Sequence, residues 1–331
     1  MKKRLISGIK PTGDLTLGNY LGAIKNFIKM QHEYETYVFV ADLHALTTGD
    51  NQPEELLKRR KEIVAIYLAC GLDPKVTTIF YQSDVLEHGM MQWLLSNETA
   101  LGELERMTQF KDKAQKAIKQ ANGTQKIPTG LLMYPTLMAG DILLYNVDCV
   151  PVGEDQIQHL ELTRTIAARM NKKYNFDFKI PKAILPQVGA KIKSLSNPEV
   201  KMSKSELSQK GTIYLLEDPE SAYKKIMKSV TDSENKVYIS DEKPGVLNLL
   251  TIYAAIKDIS LEEAERIFAS ANYKDFKHEV ATVVKEELIK IQTKYNEALT
   301  QIEQVSKEGA IKAQEVAKDI LDRLMRNMGF K

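Results

Sequence analysis

The string Lys201-Met202-Ser203-Lys204-Ser205 lies between Asn197-Pro198 and Gln209-Lys210-Gly211, so turn formers bracket it. Two lysines with small hydroxyl residues between them suit a loop that closes on a triphosphate. The ammonium groups neutralise charge, while the Ser hydroxyls and backbone N–H groups donate hydrogen bonds. A solvated basic loop is the plain alternative, yet chance rarely supplies this fixed five-residue string. A second segment runs from Ser7-Gly8-Ile9-Lys10-Pro11-Thr12-Gly13 into Leu15-Thr16-Leu17-Gly18-Asn19-Tyr20-Leu21-Gly22. A strand, a Gly/Pro turn and a helix start make the place where an α/β sheet takes a nucleotide. Gly18 and Gly22, four apart, share a helix face where a flat base or ribose could approach the backbone, with Asn19 beside them. Close helix–strand packing also wants small residues, so this segment alone leaves both readings open.

Those residues need a scaffold. Arg4–Ile9, Tyr37–Ala41, Thr77–Gln82 and Asp148–Val152 read as short strands bounded by Gly, Pro or polar residues. Helical stretches separate them. The clearest is Pro53–Cys70, with Pro in the first turn, Glu54 and Glu55 at the positive end and Gly71 as the stop. Strands separated by helices predict an α/β fold, a Rossmann-like doubly wound parallel sheet. Beyond about residue 205 the pattern is almost wholly helical, from Asp218 to Met328, with breaks expected near Asp232–Gly245, Asn272–Lys274 and Gly309. The last two helices, about Phe276–Leu299 and Gln301–Met328, are amphipathic. No strict 3.5-residue apolar repeat persists through them, which predicts ordinary packed helices and not a coiled coil.

Composition narrows the class. The chain has 331 residues, 43% hydrophobic and 27% charged, enough for two domains of ordinary size and a substantial core. Its formal charge of +2, read as a bulk number, argues against a strongly basic nucleic-acid binder, with no DNA partner expected, and against an acidic disordered tail. Cys70 and Cys149 cannot make a disulfide framework, and no ligand spacing points to a protein-held metal. The most apolar run, Gly130 to Tyr145, is broken by Pro135, Thr136, Gly140 and Asp141 and falls short of a membrane span. The N-terminus reaches Gly8 and Lys10 before a signal-peptide stretch develops, so the expectation is a cytoplasmic protein without a membrane partner.

The chain resembles the class I aminoacyl-tRNA synthetases, and within them the bacterial type of tryptophanyl-tRNA synthetase. Lys201–Ser205 matches the second signature of the class, and Thr16-Leu17-Gly18-Asn19 stands where the first, His-Ile-Gly-His, belongs. Both histidines are absent, but Asn in the last place is usual in the tryptophan enzymes. Further matches are Val40–Ala45, Gly102–Phe110, Met138–Tyr145 and Pro151–Gln156. The likeness extends from Ser7 into the C-terminal helices. It implies a catalytic domain over 1–205 with a connective insertion at about 85–145, a helical anticodon-binding domain over 206–300, and a C-terminal helix in 301–331 packing back on the catalytic domain. A homodimer is also implied.

An amino-acid pocket is legible beside the resemblance. Between Ile127 and Val147 the only charged residue is Asp141, in a helix apolar nearly all round, and a buried carboxylate needs a donor. A structural Asp is the usual explanation. However, Tyr134, Met138 and Asp141 fall at i, i+4 and i+7, one stripe of that helix. An aromatic, a thioether and a lone acceptor would hold an indole, whose polar group is a donor N–H. The resemblance gives Asp141 that role. Val150 and Val152 can form walls, alternating with Pro151. In Gly153-Glu154-Asp155-Gln156, Gln156 could bind the amino group and Asp155 a ribose hydroxyl, with helix capping the alternative for Asp155. By resemblance His44 lies near the amino acid as a binding residue and Ile6 lines its site. Lys10 (in place of the family's usual Gln), Pro11, Thr12, Gly18, Asn19, Gly153 and Glu154 would meet ATP, together with Lys201 to Ser205. Lys113 would reach the phosphates in the closed state. His32, His88, His159 and His278 show no metal spacing, and His159 lies one turn from Gln156.

The implied reaction joins L-tryptophan and ATP into an adenylate, then passes the amino acid to the terminal ribose of tRNA(Trp). Lys201, Lys204 and Lys113 would stabilise charge on the phosphates, with Mg2+ held mainly by the phosphates themselves. A tyrosine-type synthetase, a nucleotidyltransferase acting on a small metabolite, and a non-catalytic regulator are the competing readings. The near-neutral total does not exclude a polyanionic partner, because the positive charge is local. From Arg106 to Lys126 six basic residues face one acidic, and from Arg169 to Lys204 nine face two.

Overall fold

The computed structural model describes residues 2–48, 52–115, 127–185, 192–202 and 209–331. Among these, five parallel strands form one sheet: β1 (Arg4–Ile9), β2 (Glu35–Val40), β3 (Thr77–Tyr81), β4 (Cys149–Pro151) and β5 (Lys182–Ile184). Their order is β3-β2-β1-β4-β5, the doubly wound arrangement expected from the alternating pattern. Successive residues face opposite layers. Ile6, Tyr37, Phe39 and Phe80 enter one core, while Val38, Val40, Ile79 and Tyr81 enter the other. Coverage on both faces is why β2 is buried almost throughout.

The first core contains Ile63, Leu249 and Val284, so it joins the sheet to the helices Pro53–Cys70, Pro244–Lys257 and Tyr273–Ala298. The second contains Ile142, Ile166 and Ala317, from the helices Thr129–Leu143, Ile157–Tyr174 and Ile302–Asn327. The Pro53–Cys70 helix has the expected limits, and Gly71 ends it in the left-handed region at φ 114°. The two long C-terminal helices are not a coiled coil. Tyr273–Ala298 packs on Pro219–Met227 and Pro53–Cys70, whereas Ile302–Asn327 packs on β3 and Glu87–Ser96.

One expectation changes, and two features lie beyond the sequence reading. Gly309 does not break a helix: Ile302–Asn327 is continuous through it. A Cβ there would lie 1.8 Å from the Ile79 carbonyl oxygen, so glycine lets the helix press against β3. β5 was not legible, because three residues with an exposed first position carry no period. It exists through rungs such as Lys182 N–H to Asp148 O at 2.9 Å and Val152 N–H to Ile184 O at 3.1 Å. Finally, the helix after β1 is not uniform. It opens as α over Leu17–Asn19, widens to π over Tyr20–Ile24 and returns to α over Lys25–Met30, a local widening frequent at functional sites.

Candidate active site

β1 and β4 are neighbours at the point where the strand order reverses, so the loops leaving their carboxyl ends diverge and open a crevice. A cavity of about 350 Å³ lies there, walled by Ile6 to Lys10 from β1 and its loop and by Val150 to Gly153 from β4. The structure brings Ile6, His44, Tyr134, Met138, Asp141, Val150, Val152 and Gln156 together on its lining. Tyr134, Met138 and Asp141 share one stripe of the Thr129–Leu143 helix, as their spacing predicts.

Asp141 is buried and is held by side chains from other elements. Its Oδ2 accepts from His44 Nε2 at 2.8 Å, and its Oδ1 accepts from Gln82 Nε2 at 2.7 Å and His88 Nδ1 at 2.6 Å. Burial alone would raise its pKa, but the hydrogen bonds and charge interactions from His44 and His88 outweigh it and hold the carboxyl at about 2. The group is therefore an ionised acceptor. Gln82 and His88 escaped the sequence reading because they stand 59 and 53 positions from Asp141, beyond any local period.

At the other side of the lining, the Tyr134 hydroxyl lies 2.5 Å from Nε2 of the buried His159 and 3.1 Å from Gln109 Oε1. His159 thus braces a wall of the cavity, and Gln109 lines it. Burial is the main reason the Tyr134 hydroxyl is pushed well above its usual range, with Asp155 adding to it. Lys10 Nζ sits over the Tyr134 ring, 5.5 Å from its centroid. Gln156 Nε2 donates to Asp155 Oδ2 at 2.7 Å in the Glu154–Gln156 turn that leads into the Ile157–Tyr174 helix. Glu154 and Asp155 are exposed.

The two lysine- and glycine-bearing segments meet. Thr16 caps the helix by accepting from Asn19 N–H at 3.2 Å, while Asn19 Oδ1 accepts from Thr16 N–H at 3.0 Å. A Cβ on Gly18 would lie 3.7 Å from Met202 and 3.6 Å from Ile192, whereas Gly22 lines the cavity. Leu17 N–H donates to Ile213 O at 2.8 Å and Leu215 N–H to Leu15 O at 2.9 Å, fastening the chain beyond residue 209 to the first segment. Pro11 is buried and Thr12 half-buried in the β1 loop. Lys201 is exposed opposite Lys193, and Met202 is buried. Ser203, Lys204 and Ser205 lie outside the described residues. Lys113 belongs to the Thr108–Gln115 helix, its side chain also outside them.

The tRNA synthetases class I (W and Y) family matches residues 2–289. A tryptophan--tRNA ligase of Mycoplasmopsis pulmonis is 58% identical over 330 residues, covering 100% of this chain and 99% of that protein. The tryptophanyl-tRNA synthetase structure from Mycoplasma pneumoniae superposes with a TM-score of 0.92 at 40% identity, covering 100% of this chain and 99% of that one. The Campylobacter jejuni enzyme, complexed with ADP and tryptophan, has a TM-score of 0.80 at 31% identity over 98% of this chain and 99% of that one. With these likenesses spanning the whole length, the chain belongs to the class I tRNA synthetases of the tryptophan and tyrosine group, in its tryptophan--tRNA ligase branch.

Proposed function

We propose that the chain activates L-tryptophan with ATP in the cavity between β1 and β4 and charges tRNA(Trp) with it. The observation that carries this reading is Asp141, a buried ionised acceptor on the lining beside Met138 and Tyr134. An indole N–H is a donor that matches it. In the first step the amino-acid carboxylate attacks the α-phosphorus of ATP, forming the mixed anhydride as the bond to pyrophosphate breaks. In the second, a hydroxyl of the terminal tRNA ribose attacks the activated carbonyl and AMP leaves. No enzyme nucleophile is needed; alignment and charge stabilisation suffice.

Gln156 would hold the substrate's amino group, with His44, Ile6, Val150 and Val152 shaping the pocket. Lys10, Pro11, Thr12, Gly18, Asn19, Gly153, Glu154 and Asp155 would meet ATP. Lys201, Lys204 and Lys113 would neutralise its phosphates, with Met202, Ser203 and Ser205 completing the loop. Among the described residues no three His, Cys, Asp or Glu side chains converge as a metal cage. Mg2+ would be held mainly by the nucleotide's own oxygens, where it screens their charge.

We assign 1–205 to the catalytic domain, with 85–145 as its connective insertion, and 206–300 to anticodon reading. Residues 301–331 form a helix returning to the catalytic domain, a reading supported by its packing on β3. A second copy of the chain would cover Leu86, Met90 and Trp93, spaced i, i+4 and i+7 and exposed at 78%, 45% and 64%. No helix among the described residues is long and apolar enough to cross a membrane. A reducing cytoplasm suits the free thiols of Cys70 and Cys149.

Amino-acid-dependent ATP–pyrophosphate exchange, followed by charging of purified tRNAs, tests the function. Tryptophan-dependent exchange with charging of tRNA(Trp) is expected. Absence of tryptophan-dependent exchange would overturn the reading, and exchange without charging would point to a metabolite-adenylylating enzyme.

A further inference from the structure

A carboxylate offers about four lone-pair positions. Asp141 has three filled from within the protein: two on Oδ1, by Gln82 and His88, and one on Oδ2, by His44. Since the ionised carboxylate can only accept, each of those nitrogens must donate a proton to it. The arrangement is held from behind. Gln82 Oε1 accepts from Leu43 N–H at 3.1 Å, which orients its amide so that Nε2 meets Asp141. The adjoining Ser83 is pinned to buried Asp42 by its N–H at 3.0 Å and its hydroxyl at 2.6 Å. His88 has its far nitrogen 2.9 Å from the hydroxyl of Tyr145, and both side chains are fully buried. That contact decides which edge of the imidazole faces Asp141.

We propose that His88 and Gln82 are positioning residues that select indole over phenol. By filling Oδ1 they leave Asp141 a single acceptor position, on Oδ2, while the three protons that fill its other positions are committed to it. An indole N–H satisfies that position completely. A phenol hydroxyl could donate to it, but its own oxygen could not draw on the three protons already committed to Asp141, and an unmatched buried polar atom weakens binding. This inference rests on Asp141 receiving the indole N–H.

The test is pyrophosphate exchange by the full-length protein with tryptophan, tyrosine and β-(benzothiophen-3-yl)alanine, an isostere of tryptophan lacking the N–H. His88→Leu should raise the tryptophan KM about tenfold or more while the ATP KM moves less than about twofold. The preference for tryptophan over both other amino acids should shrink by a similar factor. His88→Asn, which can present an amide N–H where Nδ1 stands, should restore most of that preference. Equal losses for tryptophan and the benzothiophene analogue in His88→Leu would overturn the inference, since His88 would then only fill space. Should that variant not fold, Gln82→Met and Tyr145→Phe keep the volume and read the same ratios, and unchanged ratios in both would overturn it equally. Asp141→Ala separates the two levels. If it leaves the tryptophan-to-benzothiophene ratio intact, the indole assignment itself fails. If it abolishes that ratio while the His88 and Gln82 variants retain it, only the inference falls.

Discussion

The hydroxyl of Tyr20 donates to Oε1 of Glu287 at 2.5 Å, linking residues 267 positions apart. Tyr20 is buried in the widened turn next to Asn19, and Glu287 lies on the Tyr273–Ala298 helix. The glycine-bearing segment is thereby tied to the helical half of the chain. Burial first, and the Glu287 carboxylate second, push the Tyr20 hydroxyl far above its usual range, so it remains a donor at any working pH. A hydrogen bond to a charged acceptor contributes about 1.5–3 kcal/mol. A double-mutant cycle of Tyr20→Phe with Glu287→Gln, read by urea unfolding, should return a coupling of that order. Additive effects would mean that the tie carries no weight.

Helix-to-strand contact at Gly309 makes a sharper demand. Gly309→Ala would drive a methyl group into the Ile79 carbonyl, a backbone atom that cannot rotate away. A destabilisation of about 3 kcal/mol is expected from overpacking. Gly89→Ala supplies the control. Gly89 is in the Glu87–Ser96 helix with nothing within 4 Å of its would-be Cβ, so alanine there should stabilise by up to about 1 kcal/mol. Chemical denaturation of both variants decides the matter, and equal effects would refute the close-packing account.

The low pKa of Asp141 has a signed consequence for stability. Because the folded value is depressed, from 3.8 to about 2, its contribution is complete above the unfolded value and fades as pH falls through the folded one. A shift of this size corresponds to about 2 kcal/mol. Asp141→Asn should therefore be less stable than wild type above about pH 4, with the gap closing as the pH approaches 2. Thermal unfolding across that window measures it. A gap independent of pH would show that the carboxylate's charge is not what the clamp recognises.

Exposed Leu86 and Trp93 give a prediction about assembly. Trp93→Glu, at a surface position where folding should be indifferent, is expected to turn a dimer into a monomer in sedimentation velocity. Wild-type protein sedimenting as a monomer at micromolar concentration would exclude this stripe as the interface.

Much of the architecture is present in local pattern. Pro53–Cys70 announces itself through Pro, two acidic residues and a terminal Gly, and helix and strand periods alternate clearly enough to imply a parallel sheet. The stripe Tyr134, Met138, Asp141 was readable for the same reason, since one helix presents all three side chains. Local pattern misjudged Gly309, because a glycine that ends a helix and a glycine that admits a neighbouring strand look alike in one dimension. It also missed β5, which is held by its partners' hydrogen bonds more than by its own residues.

The residue types at the site were thus determined by the sequence: an isolated acid in an apolar helix, valines beside it, lysines in a turn-bounded loop. Only the tertiary structure decided that Gln82, His44 and His88, from three other segments, converge on that acid. Helical and strand periods arise from backbone geometry over a few residues, so they can be read along the chain. Convergence of donors on a buried charge arises from desolvation, which acts between segments that share space and not sequence.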